Sequence, residues 1–235
     1  MMRKKSLWML LACLVMTPMA YAAESAGTIE NISGKAWAQL GNDKYQRIYK
    51  GAAIYDGTRV LTDKKAELTI RFADQSEFSL GNNTSIVIEK FNYTANADNN
   101  NFVTRITNGT FRFVSGLIAH KKSTAMTVKM GTVATIGVRG TDVTGEVTER
   151  VEKDGKVVEE SARVVLMEPA EENKKTAIEV SNQFGSVVID EPGYGTEIPD
   201  EHSAPTAVRK MQIRTINNVM RAVRSATPRA QPRMR

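Results

Sequence analysis

Cysteine is nearly absent from this chain. The one present, Cys13, falls in its apolar beginning, so no disulfide framework and no Cys-based metal site is available to the rest. Histidine is almost as scarce. His120 and His202 have no second His, Cys or paired carboxylate at ligand spacing, and both are expected in surface loops. No Gly-x-Ser-x-Gly elbow occurs, and no ladder of acids ends in a closing Glu as a calcium loop would. Aromatic residues make up 6% of the chain, so Val, Ile and Leu must fill most of any core. These absences predict a protein that is not an enzyme and takes no metal and no cofactor. The scattered carboxylates of a chain that is 25% charged are expected on a solvated surface.

Long apolar runs are missing too. The only candidate covers residues 7–16, short of the roughly 20 residues a spanning helix needs. Arg3, Lys4 and Lys5 precede it and Ala20-Tyr21-Ala22 follows. That is the layout of a signal peptide cut after Ala22, and it predicts export to the periplasm. Leu10-Leu11-Ala12-Cys13 resembles a lipoprotein cleavage site. Leu14, Val15 and Met16 continue the apolar run beyond it, which makes a lipid anchor on Cys13 the minor alternative.

What the chain has instead is short alternating runs separated by turn residues, the pattern of an all-β protein. In 66–72, Ala66, Leu68, Ile70 and Phe72 fall on one face, and 77–80 returns as the partner of a hairpin. Asn108-Gly109 lies between apolar runs and reads as a two-residue hairpin turn. The stretch 147–160 is dense in charge around Asp154-Gly155 and reads as a long solvated hairpin. Residues 132–143 read as a strand, a Gly-marked break and a second strand. Together these predict a β domain over 23–147 and a β extension packed on it over 148–204. The pattern alone leaves a solenoid and a jelly roll equally open.

Charge is distributed unevenly. The chain holds 32 basic and 26 acidic residues, but 205–235 has eight basic residues and no acid, which leaves the body mildly acidic. Val208, Met211, Ile216, Val219, Met220 and Val223 recur at helical spacing with Thr206 placed to cap. A basic amphipathic helix from residue 205 is therefore expected, followed by a disordered Arg/Pro tail. Its candidate electrostatic contacts are Arg209, Lys210, Arg214, Arg221 and Arg224. Either its apolar stripe docks on the β domain with the arginines facing water, or the helix binds an anionic membrane surface or a cell-wall polymer, or it docks on a partner protein. For an exported chain nucleic acid is not an expected partner.

Several pieces, taken in order, resemble the FecR domain. They are Gly57-Thr58-Arg59-Val60-Leu61-Thr62, Ala66-Glu67-Leu68, Phe72-Ala73-Asp74-Gln75-Ser76, Leu80-Gly81-Asn82-Asn83-Thr84, Asn108-Gly109-Thr110-Phe111-Arg112-Phe113, and Val138-Arg139-Gly140-Thr141. The resemblance runs from about residue 27 to 147. It departs from the family pattern at Thr58, and at Gln75, where the family has Gly. It implies short strands in a solenoid-like, flattened β sandwich. It also implies a non-catalytic binding and signalling module that recognises an envelope protein or ligand, with the loops 92–101 and 147–160 or a strand edge as the recognising surface. Here the β domain follows the signal peptide directly, so the binding module is implied without a segment that would touch a sigma factor. The alternative is an envelope-structural protein tethered by its Arg-rich end. Val138, Arg139, Gly140 and Thr141 are expected to be structural, with Asp142, Asp74 or Glu67 as partner to Arg139.

Overall fold

The computed structural model describes residues 24–95, 97–121, 125–168 and 176–211, leaving out the side chains of His120, Lys121, Arg139 and Lys153. In chain order the strands begin with β1 (Gly27–Ser33), β2 (Ala36–Leu40), β3 (Gln46–Arg47), β4 (Ala53–Ile54), β5 (Thr58–Thr62), β6 (Glu67–Phe72), β7 (Glu77–Leu80) and β8 (Ser85–Asn92). The long β9 (Asn101–Val114) and a short helix α1 (Leu117–Lys121) follow. Next come β10 (Met126–Met130), β11 (Ala134–Arg139), β12 (Asp142–Thr148), β13 (Val151–Lys153), β14 (Lys156–Val158) and β15 (Ser161–Leu166). The last are β16 (Ala177–Asn182), β17 (Gly185–Ile189), β18 (Tyr194–Ile198) and β19 (Arg209–Lys210).

Period-2 patterning explains most of these strands. In β10, Met126, Val128 and Met130 are buried while Thr127 and Lys129 alternate outward. In β5, Thr58, Val60 and Thr62 are buried between the half-buried Arg59 and Leu61. Each strand thus has one face to hide, and two sheets hide them against each other. Sheet A runs β4-β1-β6-β7-β9-β12-β15-β18-β19. Sheet B runs β3-β2-β5-β8-β9-β10-β11-β16-β17. The all-β expectation holds, and among the described residues the strands close into no barrel. The described ladders are antiparallel except β9–β10, so the sheets are not stacks of parallel coils. The charged hairpin β13–β14 forms as expected and stands as a separate two-stranded ladder.

β9 belongs to both sheets. Its first arm lies between β8 and β10 in sheet B, its second between β7 and β12 in sheet A. The chain does reverse at Asn108-Gly109, but not as a hairpin, because both edges of each arm are already taken by other strands. The arms face each other across the core instead. On a straight strand Phe102 and Phe113 would be about 36 Å apart, at roughly 3.3 Å per residue. Their rings meet edge to face, with centroids 5.9 Å apart. Around this contact, ring pairs link Phe91, Phe72, Phe102, Phe113, Phe78 and Phe111 into one continuous file between the sheets. Scarce as aromatics are, the phenylalanines other than Phe184 are concentrated here.

The helix expected from residue 205 is not present over 205–211. That segment is extended, and β19 pairs with β18 as an edge strand. Thr206 caps no helix: its hydroxyl accepts the Glu197 N–H at 3.0 Å and its N–H donates to the Glu197 carbonyl at 2.9 Å. Met211 is buried and donates its N–H to Gly193. The apolar spacing of Val208 and Met211 suits a helix, but pairing with β18 satisfies the same backbone groups and buries the same side chains, so tertiary context decides. Residues 212–235, with the rest of the expected helix and tail, lie outside the described part.

The β6–β7 turn contains a strained residue. Gln75 has φ 69°, a left-handed conformation in which a Cβ costs about 1–2 kcal/mol. It is held there by its neighbours. The fully buried Asp74 accepts the Ser76 N–H at 3.1 Å and the Ser76 hydroxyl at 2.6 Å. Ser76 Oγ and the Asp74 carbonyl then accept the N–H groups of Gly116 and Leu117 at the start of α1. Gln75→Gly is expected to stabilise the fold by about 0.5–1 kcal/mol, the relief of strain less the added freedom of the unfolded chain. A denaturant midpoint shifted upward with unchanged slope would show it.

Candidate functional site

The Val138-Arg139-Gly140-Thr141 stretch is the corner where the chain leaves sheet B at the end of β11 and enters sheet A at β12. Gly140 has φ 60°, and this residue makes the change of direction. Thr141 is pinned beside it: its N–H donates to Ser115 Oγ at 2.7 Å, and Ser115 N–H donates to the Thr141 carbonyl at 3.0 Å. Val138 is fully buried. Arg139 closes β11 opposite Ala177. Of its three expected partners, Asp142 is engaged by Arg112, Asp74 holds the β6–β7 turn, and Glu67 opens β6 opposite Ser33.

Asp142 is the first residue of β12 and is 5% exposed. Its carboxylate accepts from Arg112 Nε at 3.0 and 3.1 Å and from Nη2. The hydrogen bond to Asp142 raises the Arg112 pKa against the opposing cost of burial, and the charges of Asp142 and Glu77 add to the rise. Arg112→Gln would leave this carboxylate buried without its counter-charge. Because Arg112 is itself partly exposed, the expected loss is about 2 kcal/mol, below that of a fully buried pair. Chemical denaturation at neutral pH measures it.

The outer face of sheet A is closed by charge pairing. Arg71 bridges Glu30 at 3.1 Å and Glu77 at 2.7 Å, and the Arg112–Asp142 pair follows on the next strands. Toward the other end Arg163 lies 3.5 Å from Glu146, and Arg209 lies 2.7 Å from Glu197. A shallow polar hollow of about 130 Å³ sits between Glu146, Arg163, Glu197 and Pro199. Arg209, expected to reach an anionic surface, spends its guanidinium on Glu197. Lys210 is exposed opposite Tyr194, and Arg214, Arg221 and Arg224 lie outside the described residues. His202 is 81% exposed. His120 falls in α1 rather than in a loop.

Sheet B has one charged triad at its centre. Glu89 accepts from Arg105 at 2.5 Å and Lys129 at 2.6 Å. Burial pushes the Glu89 carboxyl up, but the hydrogen bonds from Lys129 and Arg105 and their charges together outweigh it, and its pKa lies below the ordinary carboxylate value. A depressed folded pKa contributes stability that is full above the unfolded value and lost as pH falls through the folded one. Glu89→Gln is therefore expected to cost about 1 kcal/mol at pH 7, the gap closing as pH is lowered through the carboxylate range. Denaturant titrations at a series of pH values would follow it.

The ends of the sheets differ. Three terminal strands, β3, β4 and β19, are two residues long, and β1 beside β4 carries a bulge between Ile29 and Asn31. Those are ordinary ways of blunting an edge. β17 has five residues, Gly-Ser-Val-Val-Ile, with neither charge nor proline. Its one strand partner among the described residues is β16. Val188 is 60% exposed, and Phe184, in the connection to β16, is 46% exposed. The two-residue connection makes Asn182–Gly185 the closing pair, so the ladder bonds fall on Gly185, Val187 and Ile189. The N–H groups of Ser186 and Val188 then point off the edge. Alternation makes this strand legible in the sequence; that it ends a sheet is not.

Among the described residues no group of three or more His, Cys, Asp or Glu is placed to hold a metal ion, and no helix is long and apolar enough to cross a membrane. The fold and these surfaces define a two-sheet β module whose signature residues build a corner and whose open features are strand edges and sheet faces. Residues 58–168 match the family model described as FecR protein. That stretch is similar to FecR, and FecR is a regulatory signalling family. The match begins later than the resemblance in the sequence suggested, at β5, and runs past β12 through β15. No curated protein and no solved structure matches the chain.

Proposed function

We propose that the chain is an exported, non-catalytic module of the periplasm that signals by holding a segment of an envelope protein. The observation that carries this reading is the open edge of β17. An unguarded, uncharged strand with two outward N–H groups is a template for an added strand. Main-chain hydrogen bonds would supply affinity, while Val188 and Phe184 would select side chains at alternate positions. The family's regulatory character and the amino-terminal residues 1–22 agree with a receptor-side role in the envelope.

A photoreactive residue placed at Val188 in growing cells tests this, with Val157 on the β13–β14 hairpin as the control position. The expected result is one adduct at 188, mapped to a single contiguous segment of one envelope protein, and none at 157. No adduct at 188, with envelope association that disappears on deletion of 205–235 and at raised salt, would contradict it. That outcome would favour a tethered structural protein.

A further inference from the structure

The opposite end of sheet B holds a second open surface, independent of β17. Its centre is the segment Lys44-Tyr45-Gln46-Arg47-Ile48-Tyr49-Lys50. Ile48 is buried, while Tyr45 is 46% and Tyr49 61% exposed. The Arg47 guanidinium lies over the Tyr49 ring, 5.4 Å from its centroid. Arg47 faces Trp37 across the β2–β3 ladder, and Trp37 faces Leu61 across β2–β5. Arg59 stands one row along β5, opposite Gln39 and Val87. Ala36 and Val60 are fully buried, so alternation puts Trp37, Arg47, Arg59 and Leu61 on the outer face.

Two features set this patch apart. Every other arginine with a described side chain is in an ion pair: Arg71, Arg105, Arg112, Arg150, Arg163 and Arg209. Arg47 and Arg59 have no carboxylate partner among the described residues. The aromatic residues are also divided, with phenylalanine in the core file and Trp37, Tyr45 and Tyr49 gathered at this edge. Flat rings with a polar tip, between guanidinium groups, present apolar faces and fixed positive charge side by side.

We infer that this face binds an anionic polysaccharide. Sugar rings would lie against Trp37, Tyr45 and Tyr49, and acidic substituents would pair with Arg47 and Arg59. Planar guanidinium suits carboxylate in two-point contact. A fully extended run from Tyr45 to Tyr49 covers about 13 Å, room for successive sugar units.

Outside residues 1–22 the chain has one tryptophan, Trp37, so the emission of the secreted protein reports on the patch. The probe is an oligogalacturonate, a chain of uronic acids, titrated at moderate salt. The expected result is a saturable change in Trp37 emission that is absent with the same oligosaccharide after reduction of its carboxyls. Binding should weaken at least tenfold in Arg47→Gln/Arg59→Gln and at least fivefold in Tyr49→Ala, and stay unchanged in Lys210→Gln, an exposed cation on β19 at the far end of sheet A. Each variant keeps its buried neighbours, and an unchanged thermal midpoint confirms the fold. Absence of an emission change, or binding indifferent to Arg47 and Arg59, would overturn the inference. Equal response to polyglutamate would assign the face to acidic peptides. A response to phosphatidylglycerol vesicles but not to the uronate would assign it to lipid.

Discussion

Phe113→Ala is expected to lower the free energy of unfolding by about 3–5 kcal/mol. Phe113 is fully buried and touches Phe78 at 4.6 Å in its own sheet and Phe102 at 5.9 Å in the other. Its removal opens a cavity where the two arms of β9 meet, and neither sheet can collapse to fill it without breaking ladders on both sides. With so few aromatic residues, no neighbour has spare volume to move in. Phe184→Ala is the matched control. That ring is 46% exposed, and its loss should stay within about 0.5 kcal/mol, as for an ordinary surface substitution. Denaturant unfolding of the two variants side by side measures both. Similar losses would mean that the file of rings is not what joins the sheets.

Gly109→Val should be comparably damaging, by about 3–5 kcal/mol, from two separable causes. At φ 100° the position disfavours any L side chain. A Cβ would also stand 2.3 Å from Thr84 Oγ1 and 2.6 Å from Thr84 Cα. Thr84 cannot move aside cheaply, because its hydroxyl accepts the Thr110 N–H at 3.1 Å and its N–H donates to Thr62 Oγ1 at 2.8 Å. Gly155→Ala separates the causes. Gly155 also has positive φ, 70°, but a Cβ there meets nothing within 4 Å. Its cost should be only the conformational one, about 1–2 kcal/mol. Equal effects at the two positions would remove the close approach to Thr84 from the account.

Much of the fold is legible in the sequence because strands advertise themselves by alternation. Leu68, Ile70 and Phe72 could be assigned to the core, and Gly140 to a break between strands, from pattern alone. Asn108-Gly109 shows where this stops. The dipeptide signals a reversal, and a reversal occurs, but local chemistry does not say whether the arms lie side by side or face to face. Strands distant in sequence, β10 and β12, decide that by occupying the edges. The segment 205–211 fails for a related reason. Apolar residues three apart suit a helix or an edge strand equally over so short a length, and the free backbone of β18 chooses. The Arg112–Asp142 pair was hidden because thirty positions separate its members. The sequence supplies Asp142 as a candidate partner, and its register against β9 selects Arg112. The patch around Trp37, Arg47 and Arg59 is spread over three strands and becomes one surface only when β2, β3 and β5 align.

The proposed function rests on the edge of β17, and the most direct test removes a donor from that edge while leaving its ladder to β16 intact. Val188→Pro deletes an N–H that points off the sheet, a position where an edge strand tolerates proline. Val188→Thr keeps the N–H and changes only the side chain. Each variant would be introduced into cells and scored for capture of the partner identified by crosslinking. Capture lost at least tenfold in the proline variant, retained in the threonine variant, with both folded, is the predicted result. Undiminished capture by Val188→Pro would contradict strand addition at β17.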